Sequence, residues 1–229
     1  MKRVETVGTT QDATGVIEGC DAREEVANSV TAIIGLGLSI VGFAHLLRLT
    51  ADCGSFRMVV GCSVYGVSVV MLFVASSLYH SARHRLLRPV FRLFDHASIY
   101  IVIAGSYTPF ALFWLEGSLA WTLCGGIWGL ALLGIVFKVV FRYRYETCST
   151  ILYIVMGWAG ALVARPLLEA SPLDGVLLVV TGGVIFTVGT IFYVLDDLPY
   201  FHAIWHLFVL VGTACQYFAV IYYVVPMSS

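Results

Sequence analysis

Charge is scarce in this sequence. Asp, Glu, Lys and Arg make up 12% of its 229 residues, about half the share usual in a soluble domain. Hydrophobic residues make up 59%, and the mean hydropathy is +0.91. A soluble globule of this size leaves too much of its surface exposed to hide so much apolar area, so the bilayer must be the solvent. A net charge of -1 supplies no basic field, and nucleic acid is excluded as an expected partner. The six cysteines form no C-x-x-C pair and read as small apolar residues in helix packing. Residues Met1–Glu25 lack an apolar run followed by a small-residue cleavage site. They read as a polar cytoplasmic tail rather than a signal peptide. Long linkers are lacking too, so residues 26–229 are expected to form one domain.

What is there is seven runs without Asp, Glu, Lys or Arg: Val26–Leu47, Met58–Tyr79, His96–Leu115, Ser118–Phe137, Cys148–Ala164, Gly175–Leu195 and His202–Val225. Each passes the length test of about 20 residues for a spanning helix, the fifth being the shortest. Hydrocarbon satisfies no free backbone group, so each run must be helical, and a barrel would show shorter alternating segments. The predicted fold is an all-α integral membrane bundle of seven transmembrane helices. Ten of the 13 Lys and Arg fall in the N-terminal tail and in the second and fourth connections. The N-terminus is therefore expected in the cytoplasm and the C-terminus outside. Glycines at helix-contact spacing, as in Gly125-x-x-x-Gly129 and Gly157-x-x-Gly160, suit close helix approach.

The polar exceptions gather at the cytoplasmic ends. Span two ends at Ser76-Ser77-Leu78-Tyr79-His80, span three starts at Asp95-His96, and span seven starts at His202-Ala203-Ile204-Trp205-His206. Residues i and i+4 share one helix face, so His202 and His206 can point at one ion. Connectivity puts His80 and Asp95 at the same depth. Three imidazoles suit zinc with a fourth position open to water, whose pKa zinc lowers towards neutrality. Asp95 could be a fourth ligand, hold the water, or orient a ligand histidine. Ionisable groups at membrane depth usually mark function. Other polar residues carry less. His45 and His84 read as interfacial, and His96, pointing about 100° away from Asp95, as packing. Glu24 and Glu25 read as helix-start acids, and Asp196 and Asp197 as solvated. Pro109 should kink span three. Gln216 needs a partner on another helix.

Taken together, Glu24-Glu25-Val26-Ala27-Asn28-Ser29-Val30-Thr31, the Ser76-to-His80 block, Asp95-His96 followed by Gly105-Ser106-Tyr107-Thr108-Pro109, and the His202-to-His206 block resemble the haemolysin III family. That family is related to the progestin and adipoQ receptors (PAQR) and the alkaline ceramidases. The resemblance implies a cytoplasmic-side zinc on His80, His202 and His206, with Asp95 and Ser76 beside the metal-activated water as catalytic residues. One departure is Ala32, where the family often has His. Two functions follow as expectations. One is a zinc-dependent hydrolase of membrane-lipid amides or esters, ceramidase-like and serving lipid homeostasis. The other is a non-enzymatic lytic (haemolytic) or lipid-sensing protein in which zinc is structural. Membrane lipids are the expected partners, with a homo-oligomer left open. The expected location is the bacterial inner membrane, crossed several times.

Overall fold

The computed structural model describes residues 20–51, 55–84, 86–142 and 144–228. The expected polar tail lies outside them up to residue 19. The helices are α1 (Cys20–Ala51), α2 (Phe56–Ser81), α3 (Arg88–Trp114), α4 (Gly117–Phe141), α5 (Glu146–Gly157), α6 (Ala164–Ala170), α7 (Leu173–Val194) and α8 (Phe201–Ala219). A 3-10 segment, Ala159–Val163, joins α5 to α6, and α8 continues as a π segment, Val220–Val224. Seven stretches are long and apolar enough to cross a membrane, and no strand occurs among the described residues.

The ends of the helices differ from the apolar runs in ways that matter for the site. α1 starts at Cys20 rather than at Val26, so Glu24 and Glu25 lie inside its first turns and do not cap it. α3 starts at Arg88, with Pro89 in its opening positions, where a missing N–H costs nothing. Asp95 consequently lies seven residues inside α3, about 10 Å along the axis at roughly 1.5 Å per residue. The basic side chains of Arg88 and Arg92 explain the difference: they extend the helix past its apolar run while their heads reach polar surroundings.

Span five is a broken helix, α5 and α6, rather than one rod. The hydroxyl of Tyr107 on α3 donates to the Gly157 carbonyl (2.7 Å) and accepts from the Gly160 N–H (2.9 Å). One side chain thus satisfies both faces of the break. Nearby, Trp158 Nε1–H donates to Thr187 Oγ1 on α7 (3.0 Å). Pro109, by contrast, leaves α3 continuous to Trp114.

α2 packs between α1 and α3, α3 continues to α4, α7 lies along α8, and α8 closes on α1. Tyr65 on α2 donates to the Thr213 carbonyl on α8 (3.0 Å), which ties those two helices near their middles. Of the glycines at helix-contact spacing, only Gly160 meets a neighbour, the Tyr107 ring at 3.4 Å. A Cβ on Gly125, Gly129 or Gly157 would meet nothing within 4 Å. A Cβ on Gly105 would stand 2.2 Å from Ser68 Oγ, on Gly134 2.3 Å from the Tyr100 ring, and on Gly182 3.0 Å from the Gly212 carbonyl. Motif spacing shows that a helix can be approached closely, and the packing decides which face is used.

Candidate metal centre

α8 presents His202 and His206 one turn apart, and α2 ends with His80 beside them. The ring centroids lie 4.9 Å (His80–His202), 5.1 Å (His80–His206) and 4.8 Å (His202–His206) apart. One ligand nitrogen from each falls within 4.8 Å of the other two. His80 and His206 are buried and His202 nearly so. The i, i+4 spacing puts two rings on one face, and the α2–α8 contact brings in the third.

The outer edges of the rings face oxygen. His80 Nδ1 lies 3.2 Å from Glu25 Oε2, and His206 Nδ1 lies 2.9 Å from Thr31 Oγ1. His202 Nδ1 lies 4.0 Å from Asp196 Oδ2. On the inner edges, His80 Nε2 and His202 Nε2 are buried and have no hydrogen-bond partner among the described residues. His206 Nε2 lies 3.2 Å from Ser76 Oγ. Buried polar nitrogens are rarely left without a partner. Neighbouring imidazoles with their outer nitrogens engaged fit a divalent ion that takes nitrogen ligands, zinc above all.

Asp95 is buried, stands outside the three-histidine group, and interacts with the Ser76 hydroxyl and with His80. Of the roles left open for it, ligation is the one this placement does not support. Asp95, Ser76, His202 and His206 line one end of a cavity of about 430 Å³, and Trp114 and Leu167 line the other. From Asp95 to Trp114 is 19 residues of α3, about 30 Å at roughly 1.5 Å per residue. That matches the hydrocarbon thickness of about 30 Å. Beyond the site a smaller polar pocket of about 160 Å³ is lined by Glu24, Glu25, Asn28, Arg92 and Asp196, among others. His96 and His202 line both spaces.

Several further residues belong to this surround. Glu25 binds His80 and forms an ion pair with Arg88. Thr31 reaches His206 across 175 residues of chain. Asp196 faces His202, and burial, with Asp197 next to it, raises its carboxyl above the ordinary carboxylate range. No local pattern announces these contacts, because each joins elements far apart in the chain. His96 is buried, its carbonyl accepts the Tyr153 hydroxyl (2.9 Å), and its ring faces Glu146 at 3.8 Å. Glu146 also holds the fully buried Lys138 at 2.5 Å, so Lys138 belongs to the α4–α5 packing rather than to a solvated connection. His45 lies elsewhere, with Nδ1 2.7 Å from the Tyr217 hydroxyl, and His84 Nδ1 accepts the Leu86 N–H (3.3 Å).

Residues 20–217 match the model of the Haemolysin-III related family. The chain is 44% identical over 207 residues to Hemolysin-3 of Bacillus cereus, covering 90% of this chain and 94% of that protein. It is 42% identical over 205 residues to the Hemolysin-3 homolog of Bacillus subtilis (strain 168), covering 90% and 96%. It is 31% identical over 203 residues to the human Monocyte to macrophage differentiation factor, covering 86% and 83%.

Proposed function

The chain belongs to the Haemolysin-III related family, and from that premise we propose that it is a zinc-dependent hydrolase of membrane-lipid amide or ester bonds. The observation that carries the reading is three convergent histidine nitrogens at the end of an apolar cavity that also holds Asp95 and Ser76. His80, His202 and His206 would hold the metal. Zinc on three neutral imidazoles supplies Lewis acidity and activates water near neutral pH. Asp95 accepts the proton of the attacking water and returns it to the leaving group. Ser76 keeps the Asp95 carboxylate aimed. The apolar cavity takes an acyl chain and excludes water from it. The polar pocket on the other side of His202 admits water and the polar portion of the lipid. We place the protein in the bacterial cytoplasmic membrane with its N-terminus and the metal centre on the cytoplasmic side, on the distribution of Lys and Arg.

A second reading, membrane lysis or lipid sensing with zinc as a structural staple, is favoured by the name Hemolysin-3 borne by a relative 44% identical. The apolar lining of the cavity's outer half counts against a water-filled pore. Elemental analysis of purified protein, with lipidomics of cells expressing wild type or His202→Ala, separates the readings. The hydrolase reading expects stoichiometric zinc in wild type, its loss in the variant, and accumulation of one lipid class in the variant cells. Equal lipid profiles, with haemolysis lost in the variant, support the second reading and sink the first.

A further inference from the structure

We propose that α1, which contributes no ligand, sets the metal affinity of the centre: Glu25 and Thr31 are positioning residues that hold His80 and His206 as Nδ1–H tautomers with Nε2 turned to the metal. The inference rests on the reading of the three histidines as a zinc site.

The direction of each hydrogen bond follows from counting protons. Thr31 has one hydroxyl proton. Its Oγ1 lies 2.9 Å from the Ala27 carbonyl and 3.0 Å from the Asn28 carbonyl, and both of these only accept. The hydroxyl is directed at the α1 carbonyls, which leaves a lone pair of Oγ1 facing His206 Nδ1 at 2.9 Å. That contact is a hydrogen bond only if the imidazole donates, which puts the proton on Nδ1 and the ligand lone pair on Nε2. Glu25 leads to the same tautomer. An ionised carboxylate only accepts, so His80 Nδ1 donates to Oε2. Arg88 grips the other carboxylate oxygen and Asn28 Nδ2 donates to Oε2 at 3.4 Å, so the acceptor cannot swing away. The inward atom of His80 is then the buried Nε2 that has no partner among the described residues. His202 differs, because its outer oxygen, Asp196 Oδ2, is 4.0 Å away. Two of the three rings are thus oriented from one helix, over which the bundle closes through the α1–α2 and α1–α8 packing. Loss of such outer partners typically costs about 10–100-fold in metal affinity, because the ring is freer and its tautomer unfixed.

The test measures zinc dissociation constants by chelator competition on purified protein in lipid nanodiscs. The proteins are wild type, Thr31→Val, Thr31→Ser, Glu25→Gln and Ser29→Ala. Ser29 is the control: it sits on α1 between the two positioning residues, and its hydroxyl donates to the His80 carbonyl (3.0 Å) rather than to a ring. Thr31→Val and Glu25→Gln should each weaken zinc about 10–100-fold at unchanged melting temperature of the metal-free protein. Thr31→Ser, which restores the acceptor, should recover wild-type affinity, and Ser29→Ala should keep it. Cobalt-loaded Thr31→Val should show an altered visible spectrum, which a merely structural loss would not produce. Zinc held as tightly in Thr31→Val and Glu25→Gln as in wild type overturns the proposal, and so does an equal loss in Ser29→Ala. Wild type that takes up no zinc overturns the metal reading and this inference with it. If Thr31→Val does not fold, Glu25→Gln against Ser29→Ala decides the matter alone.

Discussion

At the scale of single residues, the proposed centre separates into three histidines placed to hold a metal and the groups that stand beside them. Asp95 is the sharpest case, because it is buried next to Ser76 and His80 yet stands outside the three-nitrogen group. Asp95→Asn should therefore keep zinc and melting temperature near wild type. If Asp95 moves the proton, lipid turnover should fall about 10²–10⁴-fold. Parallel zinc analysis, thermal melts and lipid extraction check this, and a normally active variant would exclude Asp95 as the proton carrier. Acid should act on the ligands instead. Each imidazole must be neutral to bind metal, so acidification should release zinc by protonating the ligands, and a dialysis series of falling pH reads this directly. His80, Asp95, His202 and His206 are legible in the sequence because they stand together at the ends of apolar runs. Thr31 was not, since a threonine in a membrane helix normally bonds its own backbone, as this one also does.

At the scale of the elements, the site depends on how α2, α3 and α8 approach one another. Gly105 is where α3 meets α2, with a Cβ there 2.2 Å from Ser68 Oγ and 2.6 Å from its Cβ. Gly105→Ala should push these helices apart and destabilise the protein by about 1–3 kcal/mol, with Asp95 displaced from Ser76. Gly125→Ala, which meets nothing within 4 Å, should be neutral. Thermal melts in detergent compare the two. Tyr107 makes a second test, because its hydroxyl bonds both Gly157 and Gly160 at the break of span five. Tyr107→Phe removes both bonds and should loosen the break, at a cost of about 1–3 kcal/mol for a group left unpaired and dry. Faster backbone hydrogen exchange in residues 157–164 should report it. The break was not legible, because the run Cys148–Ala164 carries no proline or charge, and the tyrosine that stabilises it comes from another helix. Glu24 and Glu25 look like a helix start in the sequence because the apolar run begins at Val26, whereas α1 itself begins at Cys20.

At the scale of the whole molecule, the prediction concerns sidedness. Ten of the 13 basic residues fall on the N-terminal side, so an alkaline phosphatase fused to the C-terminus should be active and a green fluorescent fusion dark. The opposite pattern would move the metal centre to the outer face. The sequence by itself determined seven spans and their helicity, because hydrocarbon length and backbone hydrogen bonding leave one solution for each apolar run. It also determined which side chains were candidates for chemistry, because polar groups in such runs are costly and therefore few. Only the tertiary structure decided which glycines are contacts, where span five breaks, and that Asp95 stands beside the three histidines rather than among them. It alone joined Glu25 to His80, Thr31 to His206 and Asp196 to His202. The physical reason is the same in each case. Burial and helicity are set by each segment's own composition against lipid, whereas the direction a side chain faces is set by the neighbour it packs against, which local sequence does not encode.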